Sequence, residues 1–186
     1  MNKHQHKIQF TKLHGLGNDF IVIDAINQRV EASQILPWVD RLCNRHTGIG
    51  ADGVIVVQDS KFHDMSVRIF NADGSEPEMC GNGIRCVAKF AFDGKLTRKD
   101  HFAIETLAGT IVPNLKIQDG EVSAIEVDMG TPRLETHKIP VLVPTGESQI
   151  IDYPIKIDDV MYHMTCVSMG NPHAVVFVPD LDAIAL

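Results

Sequence analysis

The run Cys80-Gly81-Asn82-Gly83-Ile84-Arg85-Cys86 constrains this chain most, because it opens a buried-looking helix in a sequence that otherwise reads as short strands. Ile84, Val87, Ala88, Ala91 and Phe92 recur at helical spacing, and Asp93-Gly94 supplies a stop. A second helix is expected to start near Ser33 as N-cap, to carry Pro37 early and to run to about Asn44. The remaining apolar segments are rich in Val, Ile and Phe and are punctuated by Gly, Asp, Asn and Pro. They predict strands at Ile8–Leu13, Phe20–Asp24, Val54–Gln58, Ser66–Phe70, Phe102–Thr106, Thr110–Ile117, Val122–Met129, Ile151–Ile157, Met161–Val167 and Ala174–Val178. Many strands with few helices imply an α+β or mainly β fold.

The helix start places Cys80 where unpaired backbone N–H groups and the positive end of the helix dipole favour negative charge. Such a position favours a reactive thiolate. The flanking glycines leave N–H groups open to hold a small carboxylate beside the sulfur. Chemistry on an amino acid or another small acid fits this pairing. A plain structural cysteine at a tight turn is the competing reading. Cys86 lies about 240° around the helix from Cys80, so it is expected in the core. Cys43 and Cys166 sit in apolar patterns and read as packing residues. Asn71-Ala72-Asp73-Gly74 and His14-Gly15-Leu16-Gly17-Asn18 are turns whose asparagines can serve both ends of a zwitterion. His173, beside Asn171-Pro172, could tune a nearby thiol or simply cap a strand.

Other chemistries find less support. The pair His4/His6 and the pair Cys43/His46 have no further ligand at suitable spacing, so no metal site is expected. Gly48-Ile49-Gly50-Ala51-Asp52-Gly53 is neither a P-loop nor a dinucleotide fingerprint. A net charge of -7 without a basic stripe argues against nucleic acid. No apolar run is long enough to span a membrane, and the polar start Met1–Lys7 is no signal peptide. Four cysteines without a CxxC pair read as free thiols, which implies a cytoplasmic protein. A soft boundary near residue 122 divides the chain into domains 1–122 and 123–186, the second with no predicted helix. Gly17-Asn18 and Gly170-Asn171 each precede an apolar strand. If they mark a duplication, a partner for Cys80 falls at roughly residue 233, beyond Leu186.

Together these segments resemble diaminopimelate epimerase. The resemblance rests on His14–Phe20, Gly48–Asp52, Phe70–Ser75, Cys80–Cys86 and Ser168–His173, in the family's order. Proline racemases carry His where this chain has Asn82, and PhzF-like isomerases lack the cysteine, so both are less similar. The resemblance implies two pseudo-symmetric α+β halves, each a curved, mostly antiparallel sheet around a central helix, with the second half incomplete here. It implies inversion of one α-carbon of LL-diaminopimelate to the meso form, in the biosynthesis of lysine and peptidoglycan precursors. Two cysteines would act as acid and base, without a cofactor or metal. Cys80 matches the first catalytic cysteine, and Asn18, Asn71, Gly81, Asn82 and Asn171 match substrate-binding positions. His173 matches a histidine that tunes the thiols. Many members carry a substrate-contacting Gln where this chain has Gly53. The family's second Cys-Gly-Thr-Gly start is not found, so the chain is expected to be an N-terminal portion, inactive by itself. A small-molecule substrate and a full-length homodimer are the implied partners. Another cofactor-independent racemase or isomerase of the same superfamily is the first alternative, followed by a non-catalytic amino-acid-binding module and a cysteine hydrolase using Cys80 with His173.

Overall fold

Residues 7–142, 146–181 and 184 are described by a computed structural model, in which the chain divides into two units, Met1–Asp128 and Met129–Leu186. The His4/His6 pair and residues 1–6 lie outside the described residues. The first unit opens with a tight hairpin, β1 (Thr11–Gly15) and β2 (Asn18–Asp24). Its two loop residues, Leu16 at φ 56° and Gly17 at φ 86°, both take the left-handed conformation that matches strand twist in such hairpins. Asp24 then caps a short helix α1 (Ala25–Gln28), accepting from Asn27 N at 2.9 Å.

The helix expected from Ser33 to Asn44 is three pieces: α2 (Ala32–Ile35), a 3-10 turn Leu36–Trp38, and α3 (Val39–Cys43). Pro37 explains the break, since it lacks an N–H and its ring crowds the preceding turn. The start is also earlier, because Glu31 and Gln34 form a reciprocal capping box and displace Ser33 from the cap.

β3 (Gly53–Gln58) pairs parallel to β2, and β4 (Met65–Asn71) pairs antiparallel to β3. After helix α4 (Gly81–Asp93), β5 (Ile104–Thr106) pairs parallel to β4, and β6 (Gly109–Ile111) pairs antiparallel to β5. The six strands form one sheet in the order β1-β2-β3-β4-β5-β6. The expected strand Thr110–Ile117 is divided between β6 and β7 (Asn114–Gln118), with donor-less Pro113 at the break. β7 and β8 (Glu121–Glu126) make a separate hairpin, and Val122 and Ile125 pack on the first unit's core.

The sheet is covered on both faces. Phe20, Val22, Ile55, Val57 and Ile69 face α4, whereas Ile21, Ile23, Val54 and Val56 face α2 and α3. Two buried faces explain why β2 and β3 read as unbroken apolar runs rather than alternating patterns. Ile84, Val87, Ala88 and Ala91 of α4 are fully buried; burying each Ile or Val contributes about 1.5–3 kcal/mol. Gly83 lets the first turn of α4 sit down on the sheet. A Cβ there would stand 3.2 Å from Ile55 Cδ1 and 3.3 Å from Ile69 Cδ1.

The second unit holds an antiparallel sheet of β9 (Tyr153–Ile157), β10 (Val160–Ser168) and β11 (Pro172–Val176), in the order β11-β10-β9. Its buried core is Ile139, Ile150 and Cys166. Among its described residues there is no α-helix, and Ile151, Ile157, Val160, Met161 and Phe177 are exposed.

Candidate active site

Cys80 is the N-cap of α4. Its backbone is extended, with φ -142° and ψ 106°, and its sulfur accepts from Gly83 N at 3.4 Å. The side chain is partly exposed, in contrast to Cys43, Cys86 and Cys166, which are all buried. Burial pushes the Cys86 thiol up to about 11, against the pull of the Arg85 charge. Burial raises Cys43 as well, and the nearby carboxylates of Asp19 and Asp52 add to it. Cys86 packs with Val87 and Ala88 in the core, as its place around the helix predicts.

One amide faces Cys80, and a second is bonded to it. The thiol points at Asn18 Oδ1 from 3.9 Å, and Asn82 Nδ2 donates to the same oxygen at 3.2 Å. The hairpin β1–β2 delivers Asn18 as the first residue of β2, while Asn82 sits in the first turn of α4. Gly15 at the hairpin's other corner lies against Asn82, with ordinary contact distances of 3.4 Å for an added Cβ. Gly81 is the first helical residue, and its carbonyl accepts from Arg85 at 3.4 Å.

Behind Asn18 lies a charged cluster that the sequence reading did not assign to the site. Asn18 Nδ2 donates to Asp52 Oδ2 at 2.8 Å, and Asp19 N donates to the same oxygen at 3.0 Å. Arg45 bridges Asp19 and Asp52 at 2.6 Å and 2.8 Å, and Lys12 adds a second cation 3.0 Å from Asp19. The hydrogen bond from Arg45, with help from Lys12, holds the Asp19 carboxyl well below the usual carboxylate range. Asp52 is lowered first by the Asn18 amide, then by Asp19 N–H and Arg45. On the other side, Arg85 donates to Asn82 Oδ1. Asp52 and Arg85 both lie inside motifs noted in the sequence, but only the fold joins them to Asn18 and Asn82.

Asn71 ends β4 and is anchored to its own turn. Its N donates to Ser75 O at 2.8 Å, and its side chain donates to Ser75 Oγ at 2.9 Å. The next residue reaches the cluster through Ala72 N–H to Asp52 O at 3.0 Å. The loop leading to Cys80 is tethered by the two-pronged Arg68–Glu76 pair and by Ala108 N–H to Glu78 O at 3.1 Å. Gly53 is buried at the start of β3, and a Cβ there would lie 2.5 Å from Phe70 O. The backbone spacing of this chain at that position favours glycine.

In the second unit, Asn171 Oδ1 and His173 Nε2 lie 3.0 Å apart at the start of β11, both exposed. Gly170, at φ 105°, turns the chain back from β10, and its N–H donates to the buried Ser168 Oγ at 3.3 Å. Among the described residues no three His, Cys, Asp or Glu side chains cluster at metal-binding spacing, and no helix is long and apolar enough to cross a membrane.

The diaminopimelate epimerase family profile matches residues 10–135, a stretch that includes Asn18, Asn71 and the Cys80 helix start. The chain belongs to the diaminopimelate epimerase family. It is 46% identical over 177 residues to the diaminopimelate epimerase of Pelotomaculum thermopropionicum, covering 95% of this chain and 62% of that one. It is 49% identical over 183 residues to diaminopimelate epimerase 1 of a Nostoc species, covering 96% and 63%. The chain thus spans somewhat under two thirds of the curated relatives' length. In fold it is similar to a hydroxyproline epimerase from Agrobacterium vitis, with a TM-score of 0.65 at 15% identity over 93% of this chain and 52% of that one.

Proposed function

We propose that a protein of the relatives' length carrying this chain is an epimerase that interconverts LL- and meso-diaminopimelate without a cofactor. Membership of the family supports the substrate and the reaction. The observation that carries the site is Cys80 as a partly exposed N-cap with the Asn18 amide oxygen beside its sulfur and Asn82 bonded to that same oxygen. In this reading Cys80 Sγ exchanges a proton with the α-carbon from one face, and a second thiol serves the other face. The first-turn N–H groups at Gly81 and Asn82 hold the α-carboxylate and stabilise the charge that develops as the α-proton leaves. Asn18, Asn71 and Asn171 bind the rest of the substrate, and His173 tunes the thiols.

These 186 residues on their own supply one such thiol, since Cys43, Cys86 and Cys166 are buried. They are therefore expected not to convert LL-diaminopimelate at a useful rate. We also place the protein in the cytoplasm, acting on a small molecule rather than nucleic acid and assembling as a homodimer at full length, in the biosynthesis of lysine and peptidoglycan precursors. Chiral separation of diaminopimelate isomers tests the reading. A polypeptide carrying this chain at the relatives' length should interconvert them, and Cys80→Ala should abolish conversion. Turnover that survives Cys80→Ala would rule the site out.

A further inference from the structure

The amides of Asn18 and Asn82 stand between two groups that can each play one hydrogen-bonding part. A guanidinium only donates and a carboxylate only accepts. Arg85 Nη2 donates to Asn82 Oδ1, Asn82 Nδ2 donates to Asn18 Oδ1 at 3.2 Å, and Asn18 Nδ2 donates to Asp52 Oδ2 at 2.8 Å. Every bond runs the same way, from the cation to the carboxylate. An Asn18 amide turned over would set its carbonyl against Asp52 and its NH2 against the NH2 of Asn82. Asp52 is itself held by Asp19 N–H at 3.0 Å and by Arg45 at 2.8 Å. The group left facing the Cys80 sulfur, 3.9 Å away, is a carbonyl oxygen.

We propose that Asp52 and Arg85 are positioning residues that lock the two amides in one orientation, holding an acceptor rather than a donor against Cys80 Sγ. The inference rests on reading Cys80 as the reactive group. Opposed influences then meet at the sulfur. Gly83 N–H, 3.4 Å away, and the helix terminus favour the thiolate, whereas the Asn18 carbonyl favours a proton kept on sulfur. Asp52 acts through Asn18 and Arg85 through Asn82. With both ends fixed, the group presented to the thiol stays an acceptor.

The test alkylates the 186-residue chain with iodoacetamide across pH and reads Cys80 by peptide mass mapping. Asp52→Ala alone leaves Asn82 Nδ2 donating to Asn18 Oδ1, so both neighbours are removed: in Asp52→Ala/Asn82→Ala the freed Asn18 amide turns its NH2 to the sulfur. The Cys80 profile should move to lower pH, with roughly three- to tenfold faster alkylation near neutrality, the range of one ordinary intramolecular hydrogen bond. Restoring Asp52 in the Asn82→Ala background should restore the parent profile. A supporting role alone would lower stability and leave the profile in place. A double-variant profile that superimposes on the parent, or moves to higher pH, overturns the proposal. Should the double variant fail to fold, the unchanged chain answers by NMR of its side-chain amides. Acidification that protonates Asp52 should move the Asn18 and Asn82 signals together, and movement of Asn18 alone, or of neither, overturns the lock. Neither readout involves turnover, so a protein that failed to epimerise diaminopimelate would refute the proposed function and leave this result standing.

Discussion

Gly53→Ala should destabilise the first unit out of proportion to the single methyl group added. The new Cβ would lie 2.5 Å from Phe70 O, a backbone atom of the neighbouring strand. An ordinary contact of a Cβ is longer by about 0.9 Å or more, and a carbonyl in a paired ladder cannot swing away as a side-chain tip can. Strands β3 and β4 must therefore part locally, at a cost of about 1–3 kcal/mol typical of overpacking. Reduced chain entropy in the unfolded state recovers only about 0.4–1 kcal/mol. The displacement also falls on the Gly53–Asn71 pair and on Ala72 N–H to Asp52 O, so it reaches the candidate site. Trp38 is the chain's one tryptophan and lies in the first unit, so its fluorescence during urea unfolding reports that unit. With mid-range values of the two effects, about 2 and about 0.7 kcal/mol, and an m-value of about 2 kcal/mol/M, the midpoint should fall by roughly 0.6–0.7 M. Gly15→Ala is the internal control: its Cβ meets Asn82 and Arg85 at 3.4 Å, and its midpoint should stay within about 0.3 M of the parent. Equal midpoints for Gly53→Ala and the parent would refute the close-approach argument, and with it the account of why this chain has glycine there.

Four further outcomes follow from the same structure. Cys80 should alkylate fastest of the four cysteines: Cys86, pushed up to about 11, is thiolate in only about one molecule in 3,000 at pH 7.5, against about one in ten for an ordinary thiol. Faster modification of Cys43 or Cys166 near neutral pH would misplace the site. Ile84→Ala, in a fully buried position, should cost about 2–5 kcal/mol by Trp38 fluorescence; a loss under 1 kcal/mol would mean that α4 is not packed as described. Asp19 and Asp52 are both held below the ordinary carboxylate value, so their stabilisation is complete above about pH 4 and is lost as pH falls through their folded values. Arg45→Met should therefore lower neutral stability and flatten the acid limb of stability against pH, and an unchanged limb would contradict the cluster's role. Amide hydrogen exchange should show weaker protection across β9–β11 than across β2–β4, because the second unit buries Ile139, Ile150 and Cys166 as its core; uniform protection would show that the sheet is covered in a way not described.

Much of this was legible before any coordinates. Helix α4 announced itself through its periodic apolar face, and β2 and β3 through runs too apolar for a half-exposed strand. The glycines around Cys80 marked a helix start, and the structure makes Cys80 the N-cap. What escaped the sequence depends on contacts between distant residues. The bond from Asn18 to Asp52 spans 34 positions, and no local pattern distinguishes Asp52 from a loop carboxylate. The bond from Arg85 to Asn82 lies within one helix turn, but the chain of bonds it begins needs Asn18 beside Asn82, 64 positions away. Gly53 looked like a departure from the family until Phe70 O was seen over it. The break at Pro37 was readable in principle, but a proline early in a helix and one that divides it look alike when the cap is assigned to Ser33 instead of Glu31. Asn71 read as a substrate ligand, and its side chain is engaged with Ser75 in this structure.

The central claim is that the Cys80 sulfur exchanges a proton at the substrate's α-carbon. Its most direct test is deuterium incorporation at that carbon when diaminopimelate is incubated in D2O with a polypeptide carrying this chain at the relatives' length. The account predicts α-deuterium in the products with the parent and none with Cys80→Ala, while diaminopimelate still binds the variant. Inverted, deuterated product that persists in Cys80→Ala, or the absence of α-deuterium with a parent that binds diaminopimelate, would contradict it.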